Sequence, residues 1–442
     1  MFNDTIAAIA TANAAGAVSL IRISGDDAVT AAEKLIHKDL SKAKGNTIVY
    51  GTAYDGNEPA DEVLVSLFRA PHSYTGEDVV EIGCHGGVYI TRRILSLVLG
   101  TGVRMARRGE FTERAFLNGK MDLAQAEGVN DLINARDEVN ARSAVHSLKG
   151  SVASLLAPLE EDLTQIISNI EVNIDYPEYD DVQQLTEEDI LPRVRKWQKD
   201  IRKLITAAQQ AVTIREGIDT VILGRPNVGK SSLLNALLEE DKAIVTDIAG
   251  TTRDIVEGTV RLDDITLNLI DTAGIHATDD AIEQMGIDRS MKALDQAQLV
   301  IVVLDATREI TEEDQKLLDM TEGRNRIVVY NKIDQSSAPE GMIAISAKNG
   351  EIDELRDAVK KMYEKELYAA NTDTLNNERQ IGLAVKAENC MREAEESLAA
   401  GMELDLVTID LENAWFALKE ITGKAGKEDL LDEVFSRFCL GK

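Results

Sequence analysis

Cysteine is scarce in this chain. The 442 residues include three, Cys84, Cys390 and Cys439, far apart and in no CxxC or CxH spacing, so neither a disulfide framework nor a zinc site is indicated and a reducing cytosol is the simplest home. Proline is also sparse, 7 residues against 30 glycines, which rules out a Pro-rich or collagen-like chain. Positive charge is short: 48 Lys and Arg against 77 Asp and Glu leave a net charge of −29. Such a surface does not hold nucleic acid by bulk electrostatics, so an RNA substrate requires a local basic patch or a basic partner. Long apolar runs are missing too. Stretches such as LVIVV at 299–303 fall far below the roughly 18 residues that span a bilayer. The N-terminal MFNDTIAAIATANAAGAVSLIRISG carries Asp4 and no basic leader, and does not read as a signal peptide. What is present is a chain 44% apolar and 28% charged, long enough for about three domains. It is expected to be a folded cytoplasmic protein with no membrane segment.

Residues 1–117 alternate strand-like segments (AVSLIRIS, NTIVYGTAY, EVLVSLFR, DVVEIGCHG) with helical ones (DDAVTAAEKLIH, GVYITRRILSLVLG), which predicts an α+β or α/β domain. Over 118–214 the pattern becomes that of long amphipathic helices with a loop at YPEYDD. Residues 215–372 return to strand and helix, with DTVILG, ITLNLID, LVIVVLD, RIVVYNKID and MIAISA as strands. Short, wholly apolar strands between helices predict a parallel sheet covered on both faces. Helical periodicity resumes over 373–442. Neither helical half alone has an obvious closed core, and the termini of a domain commonly lie close together. The predicted architecture is therefore multidomain α/β plus all-α: an N-terminal α+β domain (1–117), a discontinuous helical domain (118–214 plus 373–442) and an inserted α/β domain (215–372). Four independent units in a row are the alternative.

The strand DTVILG runs into GRPNVGKSSLLNALL, where Gly224, Gly229, Lys230 and Ser231 fit GxxxxGK[ST] between a strand and a helix. The run Asn227, Val228, Gly229, Lys230, Ser231, Ser232 would curl backbone N–H groups around phosphates, with Lys230 neutralising charge and the Ser231 hydroxyl on Mg²⁺. DTAG (Asp271, Thr272, Ala273, Gly274) ends the next strand, placing Asp271 for Mg²⁺ ligation through water and Gly274 near a γ-phosphate. Between them Thr246, Asp247, Ile248, Ala249, Gly250, Thr251 and Thr252 form a candidate switch, in which Thr251 or Thr252 can complete the metal shell. NKID supplies Asn331, Lys332 and Asp334, and the Asp334 carboxylate can accept both N1–H and N2–H₂ of guanine, a donor pair adenine lacks. Ser346, Ala347 and Lys348 follow a further strand and suit backbone contact with guanine O6. Five elements in this order resemble the Ras-like, translation-factor class of P-loop GTPases, with GTP and Mg²⁺ as ligands. Ile275 stands where many small GTPases carry a water-orienting Gln. His276 is one residue out of step, and Arg253 equally suits a salt bridge, so the residues alone leave open what orients the water.

The flanking segments NDTIAAIAT, VSLIRISG, APHSYTGEDVVEIGCHGG, RRGEFTERAFLNGKMDLAQAE and the terminal FCLGK, joined to these motifs, make the chain similar end to end to the MnmE (TrmE) family of tRNA modification GTPases. The resemblance implies a homodimer working with the flavoprotein MnmG to add an aminomethyl or carboxymethylaminomethyl group to C5 of the wobble uridine of certain tRNAs, using a folate one-carbon unit. It also implies that the N-terminal domain binds folate and dimerises, and that the GTPase domain is inserted in the helical one. By motif position it implies that Arg22, Glu81, Lys120 and Lys442 contact 5-formyltetrahydrofolate or a related folate, and it makes Cys439 a candidate catalytic thiol. A bound K⁺, held by Asn227 and by Thr246, Ile248 and Thr251 when two GTPase domains meet, would replace an arginine finger. Glu283 would orient the attacking water through a second water, with Ser231 and Thr252 on Mg²⁺.

Charge makes sense of the folate set, since a glutamate tail needs cations and a pterin ring gives donors to a carboxylate. Without the resemblance, Arg22 and Lys120 read as solvated surface charges, Glu283 as an exposed acid and Cys439 as a small apolar residue of a docked tail. His276 departs from the Arg common near that switch position, and FCLGK from the more usual FCIGK. The segment RMARRGEFTERAFLNGK sets Arg104, Arg107, Arg108, Arg114 and Lys120 against Glu110 and Glu113, which suits tRNA or folate contact and a salt-bridged structural role alike. The acidic balance assigns most of the basic contribution to tRNA binding to MnmG. The competing class is a regulatory GTPase with an RNA-binding appendage, but no GXXG in a basic KH context is present.

Overall fold

The computed structural model describes residues 4–135, 137–175, 187–240, 256–270 and 294–425, together with 434, 435, 438 and 441. The chain divides into two compact units, one made of Met1–Asn134, Ala144–Gln198 and Gly382–Lys442, the other of Ala135–Ser143 and Lys199–Ile381.

The first unit opens with a sheet of six strands, β1 (Ile6–Ile9), β2 (Val18–Ser24), β3 (Thr47–Asp55), β4 (Glu58–Phe68), β5 (Val79–His85) and β6 (Arg104–Met105), in the order β3-β4-β5-β2-β1-β6. All pairings are antiparallel except β1 with β6. Alternation builds it: every second residue of β4 (Val63, Val65, Leu67) joins Ile21, Ile23, Val80 and Ile82 in one buried layer. Helices α1 (Ala28–Ile36) and α2 (Val88–Leu99) cover that layer through Ala32, Leu35, Ile94 and Val98. The other face of the sheet carries Arg22 and Glu81, which are opposite each other in the β2–β5 register.

The chain continues through α3 (Glu110–Leu117), α4 (Leu123–Asn134), α5 (Glu138–Leu148), α6 (Ser151–Asp175) and α7 (Glu187–Glu216). Gly150, at φ 81, separates α5 from α6 in a backbone conformation that glycine adopts at little cost. Near the end of the chain, α12 (Glu378–Ala399) and α13 (Leu404–Ile421) add to the helical layer, α13 packing along α6. The Trp197 indole, fully buried, donates to Leu159 O at 2.9 Å, and Trp415 Nε1 donates to Thr164 Oγ1 at 2.9 Å.

The second unit holds β7 (Ile218–Leu223), α8 (Lys230–Glu240), β8 (Val256–Leu262), β9 (Ile265–Ile270), β10 (Leu299–Asp305), α9 (Glu312–Met320), β11 (Arg326–Asn331), β12 (Ile343–Ile345), α10 (Asp353–Met362) and α11 (Glu364–Ala370). Its strand order is β12-β11-β10-β7-β9-β8. β10 is buried along its whole length because its two sides serve two cores. Leu299, Ile301 and Val303 pack with Leu233, Leu237, Leu355 and Val359, while Val300, Val302 and Leu304 pack with Leu294 and Tyr330. The five strands marked by sequence, β7 and β9–β12, run parallel as expected, and the edge adds one that was not marked. β8 runs antiparallel to β9, joined by a two-residue turn at Asp263 (φ 54) and Asp264. Its Glu257, Gly258 and Arg261 interrupt the apolar run that marks the central strands.

Candidate functional site

The turn after β7 is shaped by left-handed backbone at Asn227 (φ 64) and Gly229 (φ 100). Gly229 is required twice, by its φ and because a Cβ there would collide with the Asn331 side-chain amide. The turn delivers Lys230, Ser231 and Ser232 into the first turn of α8, which carries no acid, so the N–H groups and dipole of a helix N-terminus favour an anion there. Lys230 Nζ donates to the carbonyls of Gly224 (2.7 Å) and Arg225 (3.0 Å), and burial pushes its pKa down.

Two residues of the NKID segment lock this loop. Asn331, at the end of β11 and 2% exposed, donates Nδ2 to Val228 O at 2.9 Å and accepts at Oδ1 from Ala347 N at 3.0 Å. Lys332 Nζ donates to Asn227 O and to Asp305 Oδ2, each at 2.7 Å. Ser346 Oγ donates to Asp334 Oδ1 at 3.2 Å, and the Asp334 carboxylate faces solvent. Lys348 is exposed. The geometry thus brings together Asn227, Val228, Gly229, Lys230, Ser231, Asn331, Lys332, Asp334, Ser346 and Ala347. Thr246, Asp247, Ile248, Ala249, Gly250, Thr251, Thr252, Arg253, Asp271, Thr272, Ala273, Gly274, Ile275, His276 and Glu283 lie outside the described residues.

Two acids that motif reasoning passed over complete the loop's support. Asp305 ends β10; burial works to raise its pKa, but hydrogen bonds from Lys332 and Thr307 bring it down to about 2. Asp314, 3% exposed, takes Arg225 Nε at 2.8 Å while closing the capping box of α9 with Thr311. An acid ending the otherwise apolar LVIVVLD was a visible signal; nothing local marks the Arg225–Asp314 pair.

In the first unit Arg22 forms a two-nitrogen contact with Glu81, both at 2.8 Å, and lies 5.1 Å and 5.7 Å from the ring centres of Tyr74 and Phe111. Burial raises the Tyr74 pKa, and its hydroxyl pairs with Thr112 Oγ1 at 2.9 Å. Arg22 Nη1 also donates to Gly441 O at 3.4 Å. Gly441 (φ 93) sits so close to Ile9 O that no side chain fits there. Lys120 is exposed and donates to Pro71 O at 2.8 Å, so it and Arg22 touch the same 71–74 loop at different points. Cys439 and Lys442 lie outside the described residues. The charged segment after β6 is largely salt-bridged: Arg104 pairs with Asp4 and Glu110, Arg107 with Glu113, and the fully buried Arg114 with Asp4, Glu77 and Glu110. Arg104, Arg107, Arg108 and Lys120 are its exposed cations.

The family model described as "MnmE helical domain" matches residues 123–439, and "GTP-binding protein TrmE N-terminus" matches residues 5–120. The tRNA modification GTPase MnmE of Ligilactobacillus salivarius is 45% identical, with 99% of this chain and 98% of that protein covered. The chain belongs to the MnmE family. Proteins of the same description from Lactococcus lactis subsp. lactis, 44% identical over 99% and 98% of the two chains, and Bacillus thuringiensis, 43% identical over 99% of each, match along their whole lengths as well.

The residues present suit the ligands such a family calls for. The loop that Gly229 keeps open, Lys230, and the Ser231 hydroxyl at a helix N-terminus form a donor set for a nucleotide's phosphates and its Mg²⁺. Asn227 adds an exposed side-chain carbonyl, an oxygen ligand suited to a hard monovalent cation. Among the described residues no cluster of His, Cys, Asp and Glu could hold a metal, and no helix is long and apolar enough to cross a membrane.

Proposed function

We propose that this chain is a K⁺-activated GTP hydrolase that, as a homodimer and with the flavoprotein MnmG, adds a carboxymethylaminomethyl or aminomethyl group to C5 of a tRNA wobble uridine using a folate one-carbon unit. The observation that carries the GTP part is the Asn331 bridge, which ties the phosphate loop at Val228 to the base-facing segment at Ala347. One nucleotide spanning both would satisfy Asp334 with the N1–H and N2–H₂ of guanine and Lys230 with phosphate oxygens. K⁺ supplies positive charge against the developing transition-state charge; Asn227, Thr246, Ile248 and Thr251 are the proposed holders, Ser231 and Thr252 the Mg²⁺ ligands, and Glu283 the residue that orients water. Proposed domain limits are 1–117, 118–214 with 373–442, and 215–372.

The Arg22–Glu81 pair under the docked Gly441 supports the folate reading, with Lys120 and Lys442 as further cations and Cys439 as candidate thiol. The exposed apolar residues of that sheet face support dimerisation, because Val18, Ile48, Tyr50 and Leu64 are between 51% and 68% exposed there. tRNA is the proposed substrate and the cytoplasm the proposed location. The test is GTP turnover at equal ionic strength in K⁺ and Na⁺, with wild type beside Glu283→Ala. Turnover that is fast only in K⁺ and lost in the variant is expected; equal rates in both salts would overturn the K⁺ mechanism.

A further inference from the structure

Helix α13 buries Val407, Leu411, Ala414, Leu418 and Ile421 along one side. Its opposite side is partly apolar. Leu406, Ile409 and Phe416 are between 51% and 55% exposed, and their spacing at 100° per residue places them within a stripe about 80° wide, which Asn413 and Glu420 share; Met402, 49% exposed, precedes the helix. Acids fence this stripe, Asp405 and Glu412 along one border and Asp410 along the other, with Glu403 at the N-cap, and no Lys or Arg occurs between Met402 and Lys419. Burial and the neighbouring Glu393 charge raise the Asp410 pKa.

We infer that the outer face of α13 is a docking surface for a basic amphipathic helix of a partner protein. An apolar stripe with acids on both borders is complementary to a helix whose apolar stripe is bordered by Lys or Arg. A second copy of this chain fits poorly, because laying α13 on α13 sets fence against fence in a molecule of net charge −29. An anionic lipid surface is repelled for the same reason.

The experiment uses the full chain and a Leu/Lys amphipathic helical peptide matched in length to α13, with its Leu/Glu counterpart as control. Trp415, whose ring lies edge-on to Phe416 at 5.2 Å, reports binding by its fluorescence. Wild type binds the Leu/Lys peptide and not the Leu/Glu one. Leu406→Ser with Ile409→Ser weakens binding about tenfold without shifting Tm, because both residues are exposed, and Asp405→Asn with Glu412→Gln weakens it independently. The inference is overturned if wild type fails to bind the Leu/Lys peptide, or binds it equally well without Leu406 and Ile409, which would mark bulk electrostatics. It is equally overturned if Leu406→Ser with Ile409→Ser abolishes self-association seen by sedimentation, or adsorption to phosphatidylserine vesicles, in place of peptide binding.

Discussion

Replacing Asn331 by Ala tests the connection between phosphate loop and base segment directly. The substitution orphans two backbone groups at once, the carbonyl of Val228 and the N–H of Ala347, which are 2% and 5% exposed residues. A buried polar group left without a partner costs about 1–3 kcal/mol, so the pair amounts to roughly 2–6 kcal/mol. Part of this appears as lost stability. The remainder appears as weaker nucleotide binding, since the loop must be re-ordered by the ligand, and about 2 kcal/mol corresponds to roughly a 30-fold rise in Kd. Asn331→Asp separates the two halves of the bridge: the carboxylate still accepts from Ala347 N–H but sets negative charge against Val228 O. It should therefore lose nucleotide affinity at least as severely as Asn331→Ala while losing the Ala347 contact less. Titration with fluorescent GDP and GTP analogues, beside urea unfolding of each variant, reads both quantities. If Asn331→Ala leaves nucleotide affinity within about threefold and the unfolding curve unmoved, the bridge does not couple the two segments.

Arg225→Gln removes the ion pair to Asp314 while leaving that carboxylate its Thr311 cap. Faster nucleotide release by about tenfold is expected in stopped flow, from the loss of roughly 1–2 kcal/mol of partly buried charge-assisted bonding; combining it with Asp314→Asn should be non-additive, and simple additivity would sink the assignment. Asp305 has a folded-state pKa of about 2 against an ordinary 3.8, so its contribution, about 2 kcal/mol, is fully present above about pH 5 and drains away as pH falls through 4 towards 2. Asp305→Asn should flatten that part of the stability–pH curve, which acid unfolding monitored by circular dichroism would reveal. Arg114→Met leaves Glu110, with no exposed surface, missing one of its cations. A loss of about 3–5 kcal/mol is expected in urea unfolding, with partial recovery in the Arg114→Met/Glu110→Gln double variant.

What was legible in the sequence is what neighbouring residues decide together. LVIVVLD reads as a strand covered on both faces because alternate residues of β10 enter two different cores, and both sets are apolar. GRPNVGKSS reads as a phosphate loop because its glycine, lysine and serine act within one turn and one helix start. The charged stretch around Arg104–Arg114 was ambiguous for the opposite reason. Arg114 meets Glu77 and Asp4 from 37 and 110 residues away, so nothing beside it reports whether its charge is spent. The same distance rule hid Arg225–Asp314, 89 residues apart, and β8, whose polar alternation is natural for a strand with a single neighbour. Two such long-range contacts meet at the loop itself. Asp305 reaches Asn227 through Lys332 and Asp314 reaches Arg225, so the two acids that begin and end the β10–α9 connection hold successive parts of the phosphate loop. A motif names the residues that meet the nucleotide; the acids that hold those residues in place emerge only when distant strands are laid side by side.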